Sequence, residues 1–296
     1  ELAKQLNVSR MSICKVIKKL KEEGYNIEAS TNKGYMLLDN NDILSSEGIS
    51  CYLDKKMDIY AYKTIDSTNT QMKKFAVDNH VDYALIVAEH QSAGRGRFNR
   101  VFYSPEKQGI YMSLLLRYNQ TFNDATLITI QSAVAIKRVI KKLCGIDTKI
   151  KWVNDLYYQG KKICGILTEA ISDFESGMIE AIIIGIGINV STKQFPEELL
   201  DKATSLGIEN INRSKFIALI VNEILKIIDE DFNNVLNEYK DASCVLNKKV
   251  EFRYKGQIYN GIAKDINNLG NLIVKCDNQE YTLNSGEVSI IQKNYE

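Results

Sequence analysis

Ala181-Ile182-Ile183-Ile184-Gly185-Ile186-Gly187-Ile188-Asn189-Val190 is the longest apolar stretch in the sequence. A run without polar alternation describes a strand covered on both faces, so it predicts the middle of a layered sheet. It is far short of the roughly 20 residues that span a bilayer. Gly185 and Gly187 fall two apart on one face, leaving a groove without side chains where a ligand or another backbone fits. Tight packing is the alternative use of that pair.

Working outward, residues 58–242 mix strand and helix signals. Ala84 to Ala88, Ile110 to Leu116, Thr148 to Val153, Lys162 to Glu169 and Glu180 to Val190 read as strands, and Leu127 to Leu143 and Ser214 to Tyr239 as helices. Short turns at Tyr157 to Gly160 and Glu175 to Gly177 favour a mixed or antiparallel α+β sheet over a regularly wound parallel one.

Both flanks differ from this centre. Residues 1–42 give a short amphipathic helix (Leu2, Ala3, Leu6), a turn at Asn7-Val8-Ser9, and a second helix with Ile13, Val16, Ile17 and Leu20 at helical spacing. Gly24 ends that helix, and Tyr25 to Leu38 alternates around Ser30-Thr31-Asn32-Lys33-Gly34, a hairpin signal. This is the outline of a winged helix-turn-helix. The chain opens at Glu1, already inside a helical pattern, which predicts a truncated unit whose first helix lies upstream. Asp39 to Asp42 is a polar break, and residues 43–57 read as a linker with a short helix. In residues 243–296, short alternating strands from Lys249 onward, with turns at Lys255-Gly256, Asn267 to Gly270, Asp277-Asn278 and Ser285-Gly286, predict a small β-barrel.

The 296 residues suggest about two domains by length alone. With 45% hydrophobic and 25% charged residues the composition excludes a disordered or fibrous chain. A net charge of +1 means that any nucleic-acid contact is local. Such a patch exists: Lys4, Arg10, Lys15, Lys18, Lys19 and Lys21 outweigh Glu1 in the first 21 residues, a local charge of +5. Ser9, Arg10, Ser12, Lys15, Lys18 and Lys19 are the candidate DNA contacts, with a lysine-rich solvated face as the alternative. Six scattered cysteines without CxxC, and only His80 and His90, form neither a disulfide framework nor a zinc site. No basic-then-apolar leader precedes them, and a cytoplasmic protein without a membrane partner is expected.

Common nucleotide and hydrolase motifs fail: GxxxxGK[ST], HExxH and GxSxG are absent, and Gly94-Arg95-Gly96 and Gly185-Ile186-Gly187 lack the third glycine of the dinucleotide fingerprint. Gly94 to Arg100 (GRGRFNR) instead sets three arginines on a glycine-containing backbone, a combination that wraps carboxylate or phosphate oxygens, or else serves as a solvated basic loop. Phe98 and Phe102 add an aromatic face for a flat base. In Lys149-Ile150-Lys151-Trp152-Val153-Asn154-Asp155, alternation puts the lysines on one face and Ile150 and Trp152 on the other. Lys151 can then aim an ammonium into a cleft, or sit on a solvated sheet edge. Asp66-Ser67-Thr68-Asn69 caps a helix or presents hydroxyl and amide groups to a small ligand.

In this order, STN at Ser67 to Asn69, AEHQSAGRGR at Ala88 to Arg97, KWVND at Lys151 to Asp155, GIL-E at Gly165 to Glu169 and GIGIN at Gly185 to Asn189 resemble the bifunctional biotin protein ligase and biotin operon repressor family, over essentially the whole chain. The resemblance implies an α+β protein: a winged helix-turn-helix, a mixed-sheet biotin ligase catalytic domain and an SH3-like C-terminal β-barrel. It implies ATP-dependent synthesis of biotinyl-5′-AMP, transfer of biotin to a lysine of a biotin carboxyl carrier protein, and biotin-responsive repression at operator DNA by a homodimer that the adenylate favours.

Carried over by motif, Ser67, Thr68, Asn69 and Gln91 would hydrogen-bond biotin, with Gly94, Arg95, Gly96 and Arg97 as the loop over it and Gly185 and Gly187 flanking it. Arg95, Arg97 and Lys151 would hold the biotin carboxylate and the ATP α-phosphate as the catalytic cations. Arg100, Phe102 (stacked on adenine), Asn189 and Arg213 would complete the ATP set. Mg²⁺ would arrive with ATP near Asn189 and not be held by protein alone. Val153 replaces the family's usual proline, which relaxes the turn after Lys151 without removing a donor. Asn99 replaces a frequent third loop glycine. Rival readings are a lipoate or octanoyl ligase of the same fold and a catalytically dead ligand-sensing transcription factor.

Overall fold

A computed structural model describes all residues except 23, 31–32, 39–41, 118–124, 173–178, 278 and 292–296. Thr31-Asn32, Asp39 to Asn41, the turn at Glu175 to Gly177 and Asn278 therefore lie outside the described residues. In the N-terminal unit, α1 (Leu2–Gln5) and α2 (Arg10–Glu22) precede the antiparallel hairpin β1 (Ile27–Ser30) and β2 (Gly34–Leu37). Ser9 caps α2 by accepting from the Ser12 amide at 3.0 Å. A connector follows, with α3 (Ser46–Ser50) capped by Ser45. Its Ile49 is fully buried against the central core, so the expected linker is packed rather than free.

The central sheet has seven strands: β3 (Asp58–Ile65), β4 (Tyr83–Gln91), β5 (Gly109–Leu116), β6 (Lys149–Lys151), β7 (Asp155–Tyr158), β8 (Lys161–Ser172) and β9 (Ile179–Asn189). Their spatial order is β3-β4-β5-β9-β8-β7-β6, with β3 parallel to β4 and every other pair antiparallel. The mixed sheet thus follows the expectation, and β9 lies near its centre. Ile182, Ile184, Ile186 and Ile188 face α5 (Ala125–Cys144), α6 (Arg213–Ile227) and α7 (Phe232–Ala242). Ala181 and Ile183 face α4 (Thr68–Asp78), whose Met72 and Ala76 close that side. Gly185 and Gly187 continue this second face.

The helix expected from Ser214 to Tyr239 is two. α6 stops at Ile227, and Asp231 caps α7 by accepting from the Asn233 amide at 2.9 Å. Asp229, Glu230 and Asp231 would oppose the dipole at a helix C-terminus, whereas an acid at an N-terminus is favoured, so the chain breaks there. The strand expected over Thr148 to Val153 pairs only at Lys149–Lys151, and the Trp152–Val153 peptide is cis.

The C-terminal unit is an antiparallel sheet of β10 (Lys249–Tyr254), β11 (Gln257–Ile266), β12 (Leu272–Cys276), β13 (Gln279–Leu283) and β14 (Val288–Ile290), in the order β13-β12-β11-β10-β14. It docks on the central unit: Trp152 Nε1 donates to Gly270 O at 2.9 Å, and Lys240 pairs with Asp265 at 2.7 Å. Among the described residues no helix is long and apolar enough to cross a membrane.

Candidate active site

Strand register sets out the site. Lys151, Asp155, Gly165, Gly187 and Tyr111 lie abreast across β6, β7, β8, β9 and β5, and Leu167, Gly185 and Ser113 form the next such row. Residues abreast share a face, so these rows set Lys151, Asp155, Gly165, Leu167, Gly185 and Gly187 along one cavity of about 680 Å³. Ser67, Thr68, Asn69 and Gln91 line one part; Arg95, Gly96, Arg97, Arg100 and Phe102 come from the loop; Lys151, Gly185, Gly187 and Asn189 come from the sheet. Gly286 to Ser289 add a wall from the C-terminal unit.

The groove expected over the glycines is filled from within. A Cβ at Gly185 would overlap Asn69 Oδ1, and one at Gly187 would approach the Phe102 ring to 2.5 Å. The two glycines are thus seats for Asn69 and Phe102, side chains that themselves face the cavity.

The polar end is a continuous network. Ser67 caps α4, accepting from the Thr70 amide at 3.4 Å. Gln91 Oε1 accepts from the Thr68 amide at 2.9 Å and lies 3.2 Å from Thr68 Oγ1, while Gln91 Nε2 donates to Ser104 Oγ at 3.0 Å. Buried Ser113 Oγ lies 2.8 Å from Thr68 Oγ1 and 2.5 Å from Asn69 Oδ1. Asn69 Nδ2 donates to Leu167 O at 3.2 Å and Glu169 Oε2 at 2.9 Å, and Lys73 Nζ pairs with Glu169 Oε1 at 2.6 Å. Ser113 and Ser104 escaped the sequence reading, because a serine inside a buried apolar strand carries no motif.

The cationic part comes from the loop and β6. Gly94 lies against Phe102 O and Ser104 Oγ, too close for any Cβ, and the loop closes through Phe102 N to Gly94 O at 2.9 Å. Arg95 Nη2 donates to Asn99 Oδ1 at 3.1 Å, and Asn99 takes a positive φ of 57°, which asparagine tolerates better than most residues. Arg97 Nη1 donates to Asn154 Oδ1 at 3.1 Å. Burial lowers the Arg97 pKa despite the opposing charges of Asp155 and Glu287. Arg100 pairs with Glu287 at 2.5 Å. Lys151 Nζ lies 3.5 Å from the Tyr157 hydroxyl, whose pKa burial raises, while Asp155 is paired with Lys162 at 2.7 Å. Lys149 is exposed and Ile150 and Trp152 are buried, as the alternation implied.

Arg213 is a correction. It is 1% exposed and lies outside the cavity lining, with Nε 2.7 Å from Asp42 Oδ1 and Nη1 2.6 Å from Glu89 Oε2. A guanidinium held by two half-buried carboxylates and the Gly109 carbonyl has no free edge for a nucleotide; it ties Asp42 to β4. Of the candidate DNA contacts, Ser9 and Ser12 engage each other at 2.8 Å, and Arg10, Ser12, Lys15, Lys18 and Lys19 are exposed on α2.

Residues 61–189 match the Biotin/lipoate A/B protein ligase family, residues 1–36 an HTH domain and residues 245–290 the Biotin protein ligase C terminal domain. Over these regions the chain is similar to biotin protein ligases. The Bifunctional ligase/repressor BirA of Bacillus subtilis (strain 168) is 38% identical over 211 residues, 70% of this chain and 64% of that protein. The chain thus spans just under two thirds of that relative's length. The Bifunctional ligase/repressor BirA of Escherichia coli (strain K12) is 28% identical over 298 residues, covering 98% of this chain and 91% of that protein. The biotin protein ligase from Aquifex aeolicus, solved in complex with biotin and ATP, superposes with a TM-score of 0.68 at 25% identity, over 79% of this chain and 99% of that one.

Proposed function

We propose that this chain is an ATP-dependent biotin protein ligase that makes biotinyl-5′-AMP and passes biotin to a lysine of a biotin carboxyl carrier protein, and that it also represses biotin genes. The observation that carries the reading is one cavity holding Arg95, Arg97 and Lys151 beside the Ser67–Thr68–Gln91 polar end. Adenylation joins two anions. A carboxylate oxygen bonds to the α-phosphorus while the bond to the β-phosphate oxygen breaks, so the work lies in positioning and charge neutralisation. Arg97 and Lys151 would clamp the carboxylate and α-phosphate, with Arg95 closing the loop. A carrier lysine amine then attacks the acyl carbon and AMP leaves.

Biotin's ring would lie at the polar end, with adenine against Phe102 and Arg100. Mg²⁺ accompanying ATP would neutralise charge on the departing pyrophosphate. Asn189 fits that neighbourhood: its Nδ2 donates to Thr204 O at 3.1 Å, and its buried Oδ1 on the cavity wall has no hydrogen-bond partner among the described residues.

The repressor role rests on α2. Ser12, Lys15 and Lys19 form a stripe away from Ile13, Ile17 and Leu20, placing cations for phosphates and Arg10 at the helix start. One such helix neutralises few phosphates, so a homodimer favoured by the adenylate would read a palindromic operator. Units at 1–42, 58–242 and 243–296 with a 43–57 linker suit this division of labour. Six free cysteines support a cytoplasmic setting. Incubation with labelled biotin, ATP and a carrier domain tests the ligase, with lipoate as the competing acid. ATP-dependent label on the carrier from biotin alone is expected, and label from lipoate or none from biotin defeats the reading.

A further inference from the structure

Ser104 is 4% exposed and stands behind the cavity wall, outside the lining. Gln91 Oε1 accepts from the Thr68 amide at 2.9 Å and from the Thr68 hydroxyl at 3.2 Å, so Gln91 Nε2 faces the other way, toward Ser104 Oγ at 3.0 Å. Nε2 only donates, so the serine oxygen accepts there. Its one hydrogen goes to Phe102 O at 3.0 Å, a carbonyl that only accepts. One hydroxyl, used in both directions, therefore links the polar end to the Phe102 backbone. The base of the arginine loop closes on the same spot. Phe102 N donates to Gly94 O at 2.9 Å, and Phe102 O, Ser104 Oγ and Gln91 Nε2 all lie within 3.0 Å of where a Cβ on Gly94 would stand.

We propose that Ser104 is a positioning residue that carries the seating of the Gln91 side chain into the Phe102 backbone, so that a ligand against Thr68 and Gln91 tightens the binding of a flat base at Phe102; this rests on the reading that biotin and ATP share the cavity. The chain Thr68–Gln91–Ser104–Phe102 runs from the start of α4 to the arginine loop through side chains that neither ligand needs to touch together. The first ligand to bind orders that chain, and the second then finds it ordered and pays less. Hydrogen bonds in series also polarise one another, so a firmer Gln91 makes a firmer hold on Phe102 O. Alanine at 104 breaks the chain at a single oxygen. The Gln91 bonds to Thr68 and the seat of the Phe102 ring on Gly187 do not involve that oxygen.

The test uses an ATP analogue with a methylene bridge between the α- and β-phosphates, which cannot be adenylated onto biotin. Its affinity is measured by calorimetry with and without saturating biotin, in wild-type protein and Ser104→Ala. Biotin should tighten the analogue at least about tenfold in wild-type protein, within the usual range for coupled sites. In Ser104→Ala that factor should fall to about twofold or less, with the biotin-free affinity changed by less than about threefold. By linkage the analogue tightens biotin by the same factor, which checks each measurement. A merely structural serine would lower Tm or both affinities and leave the factor intact. An unchanged factor in Ser104→Ala, whatever the separate affinities, overturns the proposal, as does a wild-type protein that binds both ligands without coupling. If Ser104→Ala fails to fold, Ser104→Cys carries the test, since a thiol is a weak donor and acceptor: a reduced factor supports the link and an unchanged one overturns it. Wild-type protein that does not bind both ligands overturns the reading that biotin and ATP share the cavity.

Discussion

Arg97 Nη1 donates to Asn154 Oδ1 at 3.1 Å across 57 positions of sequence. Asn154 is itself fixed on β8, through Nδ2 to Ile166 O at 2.8 Å and the Ile166 amide to Asn154 O at 2.9 Å. The arginine loop and the turn after Lys151 are therefore one mechanical unit. A cation on a glycine-containing loop gains a defined position from that tie.

Arg97→Ala should release biotinyl-AMP to solvent, since the loop would lose the charge-assisted contact proposed for the adenylate. Dissociation of labelled adenylate on rapid filtration would rise, and unselective biotin labelling of added bystander protein would rise with it. Asn154→Ala should give the same signature more weakly. Wild-type retention in both variants would remove the clamp from Arg97.

Lys151→Ala should slow biotin-dependent pyrophosphate exchange by roughly 10²–10³. Biotin affinity should fall less, because the contacts proposed for the ring come from α4 and β4. Lys151→Arg should restore only part, since a planar fork does not fill the position of a compact ammonium. Near-normal exchange in Lys151→Ala would return this lysine to a solvated sheet edge.

Gly187→Ala would drive a methyl into the Phe102 ring, a rigid neighbour. A loss of about 1–3 kcal/mol in urea unfolding is expected, with weakened ATP binding as Phe102 moves. Gly165→Ala meets mainly the far end of Lys162 and should cost less.

Arg213→Met should leave Asp42 and Glu89 without their shared cation and cost about 3–5 kcal/mol, read by denaturant titration. Residual adenylation in the folded fraction should keep its KM for ATP. A raised KM with intact stability would restore Arg213 to the nucleotide site.

Burial opposes ionisation of Asp66, but bonds from Gln71 Nε2 and the Ser67 amide outweigh it and lower the pKa. A lowered carboxyl pKa contributes stability above the unfolded value and loses it as pH falls through the folded one. Asp66→Asn should therefore flatten the acid limb of the stability profile while leaving the alkaline limb unmoved.

Much of this is legible in the amino-acid sequence. The unpolarised run at Ala181 to Val190 named a strand covered on both faces, and the Gly94 to Arg100 and Lys149 to Asp155 stretches named the cavity's cations. What escaped depends on register. Ser113 matters because β5 aligns it with Gly185 and Leu167, a relation no local pattern encodes. Gly185 and Gly187 read as an open groove because their occupants, Asn69 and Phe102, come from distant segments. Arg213 is ambiguous in sequence because an arginine before a helix looks alike whether it meets a phosphate or, as here, two carboxylates.

Trp152 is the only tryptophan in the chain, adjoins Lys151, and donates its indole hydrogen to Gly270 of the C-terminal unit. The protein thus carries an intrinsic fluorophore at the seam between its second and third units, one residue from the Lys151 ammonium. Its emission wavelength and lifetime respond to solvation of that indole, so separation of the C-terminal unit during turnover is observable in unlabelled protein.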